Sequence, residues 1–162
     1  MNAYAESASI REYQIKAAFL YNFTKFVEWP ADKFTDENAP MILCVIGVDP
    51  FGPTLEHAVR GRKIKGRAII VKRKIGINGL KRCHVLFVSS SERENIRDIV
   101  ASLAGASVLT TGDMDRFANL GGIINLLKRG NKIRFEINSN AAAQSGLKLS
   151  SYLMGLASNV IE

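Results

Sequence analysis

Residues 41–47 read Met41-Ile42-Leu43-Cys44-Val45-Ile46-Gly47. A short apolar run without alternation is what a strand buried on both faces looks like, the usual state in a parallel sheet. Such a sheet needs helices, and the flanking sequence supplies them. Upstream, Ser9-Ile10-Arg11-Glu12 has the S-x-x-E form of a capping box and predicts a helix starting near residue 10. Ile15, Ala18, Phe19, Phe23, Phe26 and Val27 recur at helical spacing, and Pro30 stops the helix near Trp29. Downstream, residues 53–60 can make a short helix and 67–73 a strand. Residues 84–89 read as a third strand, 92–103 as a helix with Ile96, Ile99, Val100 and Leu103 on one side, and 107–111 as a fourth strand.

The last third changes character. Residues 122–127 and 132–137 flank Lys128-Arg129-Gly130-Asn131, a hairpin signal. Its second arm alternates, with Ile133, Phe135 and Ile137 facing one way and Lys132, Arg134 and Glu136 the other, so this pair has one wet face. A helix over 140–145 ends at Gly146, and Ser150 or Ser151 caps a last helix that carries Tyr152, Leu153, Leu156, Ala157 and Val160. The predicted fold class is therefore α/β: one domain over residues 10–162, with a mostly parallel central sheet flanked by helices and a C-terminal antiparallel hairpin. Residues 1–9 are expected to be disordered or the remnant of a mature N-terminus.

The chain has 162 residues, 47% hydrophobic and 23% charged. That composition excludes a disordered chain, a collagen-like repeat and a disulfide-dense miniprotein. No apolar run approaches the ~18–20 residues needed to cross a bilayer. Ala3-Tyr4-Ala5 followed by Glu6 leaves two readings open: an A-x-A cleavage site, as in a secreted chain whose leader has been removed, or two alanines without significance. Lys and Arg number 22 against 15 Asp and Glu, for a net charge of +7. Between Arg60 and Lys74 there are eight basic residues and no acid. The stretch lacks the interleaved aromatics of a nucleic-acid surface, so a solvated strand edge is expected, with a surface for an acidic partner as the alternative, and nucleic acid is not.

No catalytic set emerges. Gly47-Val48-Asp49-Pro50-Phe51-Gly52-Pro53-Thr54 matches the P-loop spacing except that Pro53 replaces the phosphate-binding lysine, which also removes an N–H from the cradle. A receiver domain needs clustered carboxylates for Mg²⁺ after the first strand, and only Asp49 is near; Asp113 and Asp115 are expected to serve a turn or a cap. Cys83 and His84 are adjacent and point to opposite faces of a strand, which argues against a metal site with Cys44. Neither an enzyme, a metal nor a cofactor is expected.

The two cysteines, Cys44 and Cys83, leave two readings open. Neighbouring strands are close enough for a bridge, and two buried free thiols pack equally well as small hydrophobes.

The motifs taken together resemble a known family. Tyr13-Gln14-Ile15-Lys16-Ala17-Ala18-Phe19-Leu20-Tyr21-Asn22-Phe23, then Phe26-Val27-Glu28-Trp29-Pro30, is similar to the opening of the YfiR-like family of bacterial periplasmic proteins. The likeness continues through Cys44-Val45-Ile46-Gly47, Gly61-Arg62, Cys83-His84-Val85-Leu86-Phe87-Val88, Gly121-Gly122-Ile123-Ile124, Ile133-Arg134-Phe135-Glu136-Ile137-Asn138 and Ser145-Gly146-Leu147-Lys148-Leu149-Ser150-Ser151. The resemblance implies a periplasmic, non-catalytic regulator and a Cys44–Cys83 disulfide. It implies repression of an inner-membrane, YfiN-like diguanylate cyclase through its periplasmic domain, with release linked to envelope or redox stress. Another membrane sensor as partner and a homodimer also fit this kind of regulator. The best-known member carries a second cysteine pair that this chain lacks.

A second reading is a periplasmic small-ligand sensor. Arg134 on the wet face of the hairpin, with Asn138, Lys148 and Ser150 near helix starts, is a candidate set for a small anionic ligand.

Overall fold

The computed structural model describes residues 3–162. Helix α1 (Ala3–Lys25) leads into a two-residue strand β1 (Val27–Glu28). There follow β2 (Met41–Ile46), α2 (Thr54–Val59), β3 (Lys63–Ile64), β4 (Arg67–Lys72), β5 (Val85–Val88), α3 (Ile96–Ser102) and β6 (Leu109–Gly112). The hairpin β7 (Ile124–Arg129) and β8 (Lys132–Asn138) precedes α4 (Ser139–Gln144), β9 (Lys148–Leu149), α5 (Ser151–Leu156) and β10 (Asn159–Ile161).

Eight strands form the central sheet in the order β10-β8-β7-β6-β5-β2-β4-β3. β2 pairs in parallel with both β4 and β5, β5 with β6, and β6 with β7. The β7–β8 hairpin is antiparallel and turns at Gly130, whose φ of +61° suits a residue without a side chain. β1 and β9 form a separate antiparallel pair.

The reading of 41–47 holds in detail. Leu43 and Val45 pack on one face with Leu20, Phe23, Val85, Phe87 and Phe135. Cys44 and Ile46 pack on the other with Leu80, Leu86, Ile96 and Ile99. A strand covered by α1 on one side and α3 on the other has no wet face to alternate toward. In β8, which has one, exposed and buried side chains alternate.

Four boundaries differ from expectation. α1 ends at Lys25 rather than near Trp29, and Val27–Glu28 leave the helix to pair with β9. α1 begins at Ala3 rather than near residue 10, since Ala3, Ala5, Glu6 and Ala8 favour helix; residues 1 and 2 lie outside the described residues. The segment expected as a helix over 92–103 starts with a 3₁₀ turn, Ser90–Asn95, kinked at Glu92. The last helix stops at Leu156, and β-branched Val160 and Ile161 form β10, parallel to β8. That strand covers what would otherwise be the open edge of the hairpin.

Candidate functional site

The bend after α1 opens a cleft of about 570 Å³ beside the β1–β9 pair. Trp29, Pro30 and Phe34 supply its apolar wall, and Lys65, Arg67, Lys148 and Glu28 its charges. Pro30 ends regular structure here, and a 3₁₀ turn, Ala31–Lys33, carries the chain to Phe34.

A stack of rings backs this cleft. The Arg67 guanidinium carbon lies 3.7 Å from the centroid of the Phe34 ring. Phe34 stacks on His84 with centroids 4.3 Å apart. The Trp29 indole N–H donates to the His84 backbone carbonyl at 3.0 Å. Arg67 is held by donating to the Asp36 and Ala39 carbonyls, at 2.8 and 2.7 Å. His84 accepts the Ile42 N–H at Nδ1, 3.0 Å away, so the ring proton sits on Nε2. Nε2 is buried without a hydrogen-bond partner. Burial, then the nearby charges of Lys33 and Arg67, push the His84 pKa down to about 4. Lys33 donates to the Lys81 and Ala106 carbonyls at 2.7 and 2.5 Å, and burial pulls its pKa down to about 8.

Directly before His84, Cys83 is bonded to Cys44, with Cα atoms 6.1 Å apart. The two residues are 1% and 0% exposed, inside the core on the α3 side of the sheet. The bridge therefore ties the entry to β5 onto β2 and sets the position of the ring stack.

A second cluster lies where β6 ends. Asp113 accepts from Tyr13 Oη at 2.7 Å and Lys16 Nζ at 2.8 Å. Lys16 also pairs with Glu12 at 2.7 Å, and Lys128 reaches Glu12 at 3.2 Å. Lys16 is only 4% exposed, and Asp113 is not the turn or cap residue expected from sequence: it is the buried counter-charge of Lys16. Burial and the Asp113 carboxylate hold the Tyr13 hydroxyl well above its ordinary pKa. Burial tends to raise the Glu12 pKa, but hydrogen bonds from Lys16 and Lys128 outweigh it and leave it lowered. Every carboxylate here is engaged with a cation, which suits anchoring α1 to the sheet rather than proton transfer.

Asp49, the carboxylate weighed for a phosphate or receiver site, accepts from the Phe51 and Gly52 N–H groups and from Arg73 Nε. It closes a turn ahead of α2. No group of three or more His, Cys, Asp or Glu that could hold a metal ion occurs among the described residues.

Of the four residues predicted for a small ligand, Lys148 lines the cleft, beside Glu28 on the paired strand. Asn138 caps α4 through the Ala141 N–H and donates to the Ala118 carbonyl. Ser150 caps α5 through the Leu153 N–H. Arg134 stands exposed on β8. Sequence reasoning missed Trp29, Phe34 and Arg67 as one constellation. Trp29-Pro30 after an amphipathic helix was the available signal, but its partners come from other segments.

A family model described as YfiR/HmsC-like matches residues 13–158. Among solved structures, a conserved domain protein from Vibrio cholerae O1 biovar El Tor matches 74% of this chain at 10% identity, with a TM-score of 0.56. The ABC domain from Streptococcus pneumoniae solved in complex with L-Trp matches 90% at 8% identity, with a TM-score of 0.60. The chain spans 54% and 60% of those two proteins, and at such identities the likeness concerns the fold.

Proposed function

The chain belongs to the YfiR/HmsC-like family, and from that we propose a periplasmic regulatory binding protein of cyclic-di-GMP signalling. It represses a membrane-bound, YfiN-like diguanylate cyclase by binding that enzyme's periplasmic domain. The observation that carries this reading is the family match over nearly the whole described chain. It is supported by a candidate site whose carboxylates and rings serve packing rather than chemistry. No described helix is long and apolar enough to cross a membrane.

Repression requires differential affinity. The protein must bind the off state of the cyclase better than the on state, because a ligand shifts an equilibrium only by that difference. The test is a binding titration of the purified protein against the periplasmic domain of a cyclase encoded beside it. Saturable binding, with lower cyclase output from the full-length enzyme in membranes, is expected. Absence of binding to that domain sinks the proposal.

The cleft favours a second reading, a small-ligand sensor for a membrane signalling partner. The Trp29 ring, with Lys65 and Lys148 at the rim, suits a planar ring carrying an anionic group. A thermal-shift screen with amino acids and phosphorylated metabolites tests it, and a flat response to all of them counts against it.

A further inference from the structure

The +7 net charge has a single origin. From His57 to Ser91 the sequence holds ten Lys and Arg and no Asp or Glu, while the rest of the chain is slightly acidic. The fold brings this stretch to one side of the sheet, as β3, β4, the 3₁₀ turn Ile77–Arg82 and the loops between them. Arg67 and Arg73 are committed, the first to carbonyls and the Phe34 ring, the second to Asp49 and Glu56. Arg60, Arg62, Lys63, Lys65, Lys72, Lys74, Lys81 and Arg82 are exposed.

The sheet is bare where some of these charges lie: Lys63 and Lys72 stand on its uncovered face, whereas Arg62 lies over the Tyr21 ring of α1 and Lys65 lines the cleft at the end of α1. On β4 the side chains of Ala68, Ile70 and Lys72 alternate outward, on the side of the sheet that carries Ile42 and Cys44. Lys63 pairs with Ala68 and shares that face. Toward the middle of the sheet this side is covered by α3 and the 3₁₀ turn; Ile70 remains 42% exposed and Ile77 44% exposed.

We propose that this bare basic face docks on the surface of an anionic lipid bilayer. Charge complementarity selects an anionic occupant, since eight exposed cations stand in a stretch with no carboxylate. Two features favour lipid over an acidic protein. Lysine, which protein–protein interfaces deplete, supplies five of the eight exposed cations. The charges are also spread over a strand face, an edge and a turn instead of converging on one pocket, as suits many mobile headgroups. Ile70 and Ile77 sit among them, able to enter the interfacial layer as Lys stems snorkel outward. The inference goes beyond the repressor reading, and a protein that fails to bind bilayers could still bind a cyclase domain.

The experiment is co-sedimentation of the intact protein with vesicles of phosphatidylcholine containing one third phosphatidylglycerol, against pure phosphatidylcholine. Binding to the anionic vesicles alone, lost at high salt, is expected. The variant Lys63→Gln/Lys72→Gln/Lys74→Gln should weaken it by about one to two orders of magnitude. A control that removes as many charges elsewhere, Arg97→Gln/Arg129→Gln/Lys132→Gln, should stay within about twofold of the parent, because those residues lie off the patch. Circular dichroism confirms that both variants are folded. Equal loss in the two variants would reduce the effect to net charge and overturn the assignment. So would equal binding to both vesicle types, or retention by polyglutamate without retention by anionic vesicles.

Discussion

The ring of Phe34 lies on the imidazole of His84 with 14° between their planes, and Arg67 covers its other side. The stack seals a histidine that is 4% exposed and whose Nδ1 is already used by the Ile42 N–H. A proton added to this ring would displace that N–H and place a charge between Lys33 and Arg67.

His84 should therefore make the fold acid-sensitive. Its pKa is about 4 in the fold against an ordinary 6.5, so the unfolded chain binds the proton more readily. Stability is full above about pH 6.5 and falls as pH drops toward 4, by up to about 1.4 kcal/mol per pH unit. Glu12 and Glu56, whose pKa values are lowered from 4.5, lose their contributions as pH falls below that value, so between about pH 7 and pH 5 the His84 contribution is the larger. Urea unfolding at about pH 7 and pH 5 should show the loss. His84→Asn keeps an acceptor for Ile42 and should flatten the slope, and an equally steep slope in that variant would refute the assignment.

The buried disulfide yields a chemical prediction. Intact mass should lie two hydrogens below the reduced value, with neither thiol alkylated before reduction. Because both sulfurs lie in the core, reduction should wait on opening of the chain and speed up in denaturant. Replacing both cysteines by Ala should cost roughly 4 kcal/mol, from the entropy of a closed loop of this length. Rapid reduction of the native protein at low denaturant would show that the bridge is reached without unfolding.

Lys16 and Asp113 form a buried ion pair 97 residues apart in sequence, joining α1 to the end of β6. Lys16→Met leaves a buried carboxylate without its cation and should cost about 3–5 kcal/mol. Lys16→Met combined with Asp113→Asn should recover part of that loss, since the orphaned charge goes too. Tyr13→Phe removes one hydrogen bond to a charged group and should cost about 1.5–3 kcal/mol. Chemical denaturation of these four proteins and of Asp113→Asn alone checks the ranking; a loss in the double variant equal to the sum of the two single losses would mean the pair is not coupled.

What the sequence revealed tracks how local the signal was. The two-sided burial of β2, the hairpin at Gly130 and the cap at Ser150 are written in contiguous residues. β10 was misread because Val160 also fits helical spacing after Leu153 and Leu156, and only parallel pairing with β8 decides the matter. Asp113 looked like a turn residue because its counter-charge, Lys16, is carried by α1. The cleft needed Trp29, Phe34, Arg67 and Lys148 together, and no spacing rule links residues brought together by a sheet.

Trp29 is the only tryptophan in the chain and lines the cleft, so its fluorescence reports on that site without a label. Its indole N–H is spent on the His84 carbonyl, which fixes the ring edge and leaves the remaining surface to meet a ligand. A ligand stacked in the cleft should shift or quench the emission saturably, with a midpoint that matches its thermal shift. Lys148→Ala should weaken that response with little change in Tm, because Lys148 is exposed and makes no side-chain hydrogen bond among the described residues. Trp29→Phe keeps an aromatic wall and loses one neutral hydrogen bond, about 1 kcal/mol of stability. If a compound raises Tm equally in the parent and Lys148→Ala and leaves the emission unchanged, it binds elsewhere and the cleft is not the sensor site.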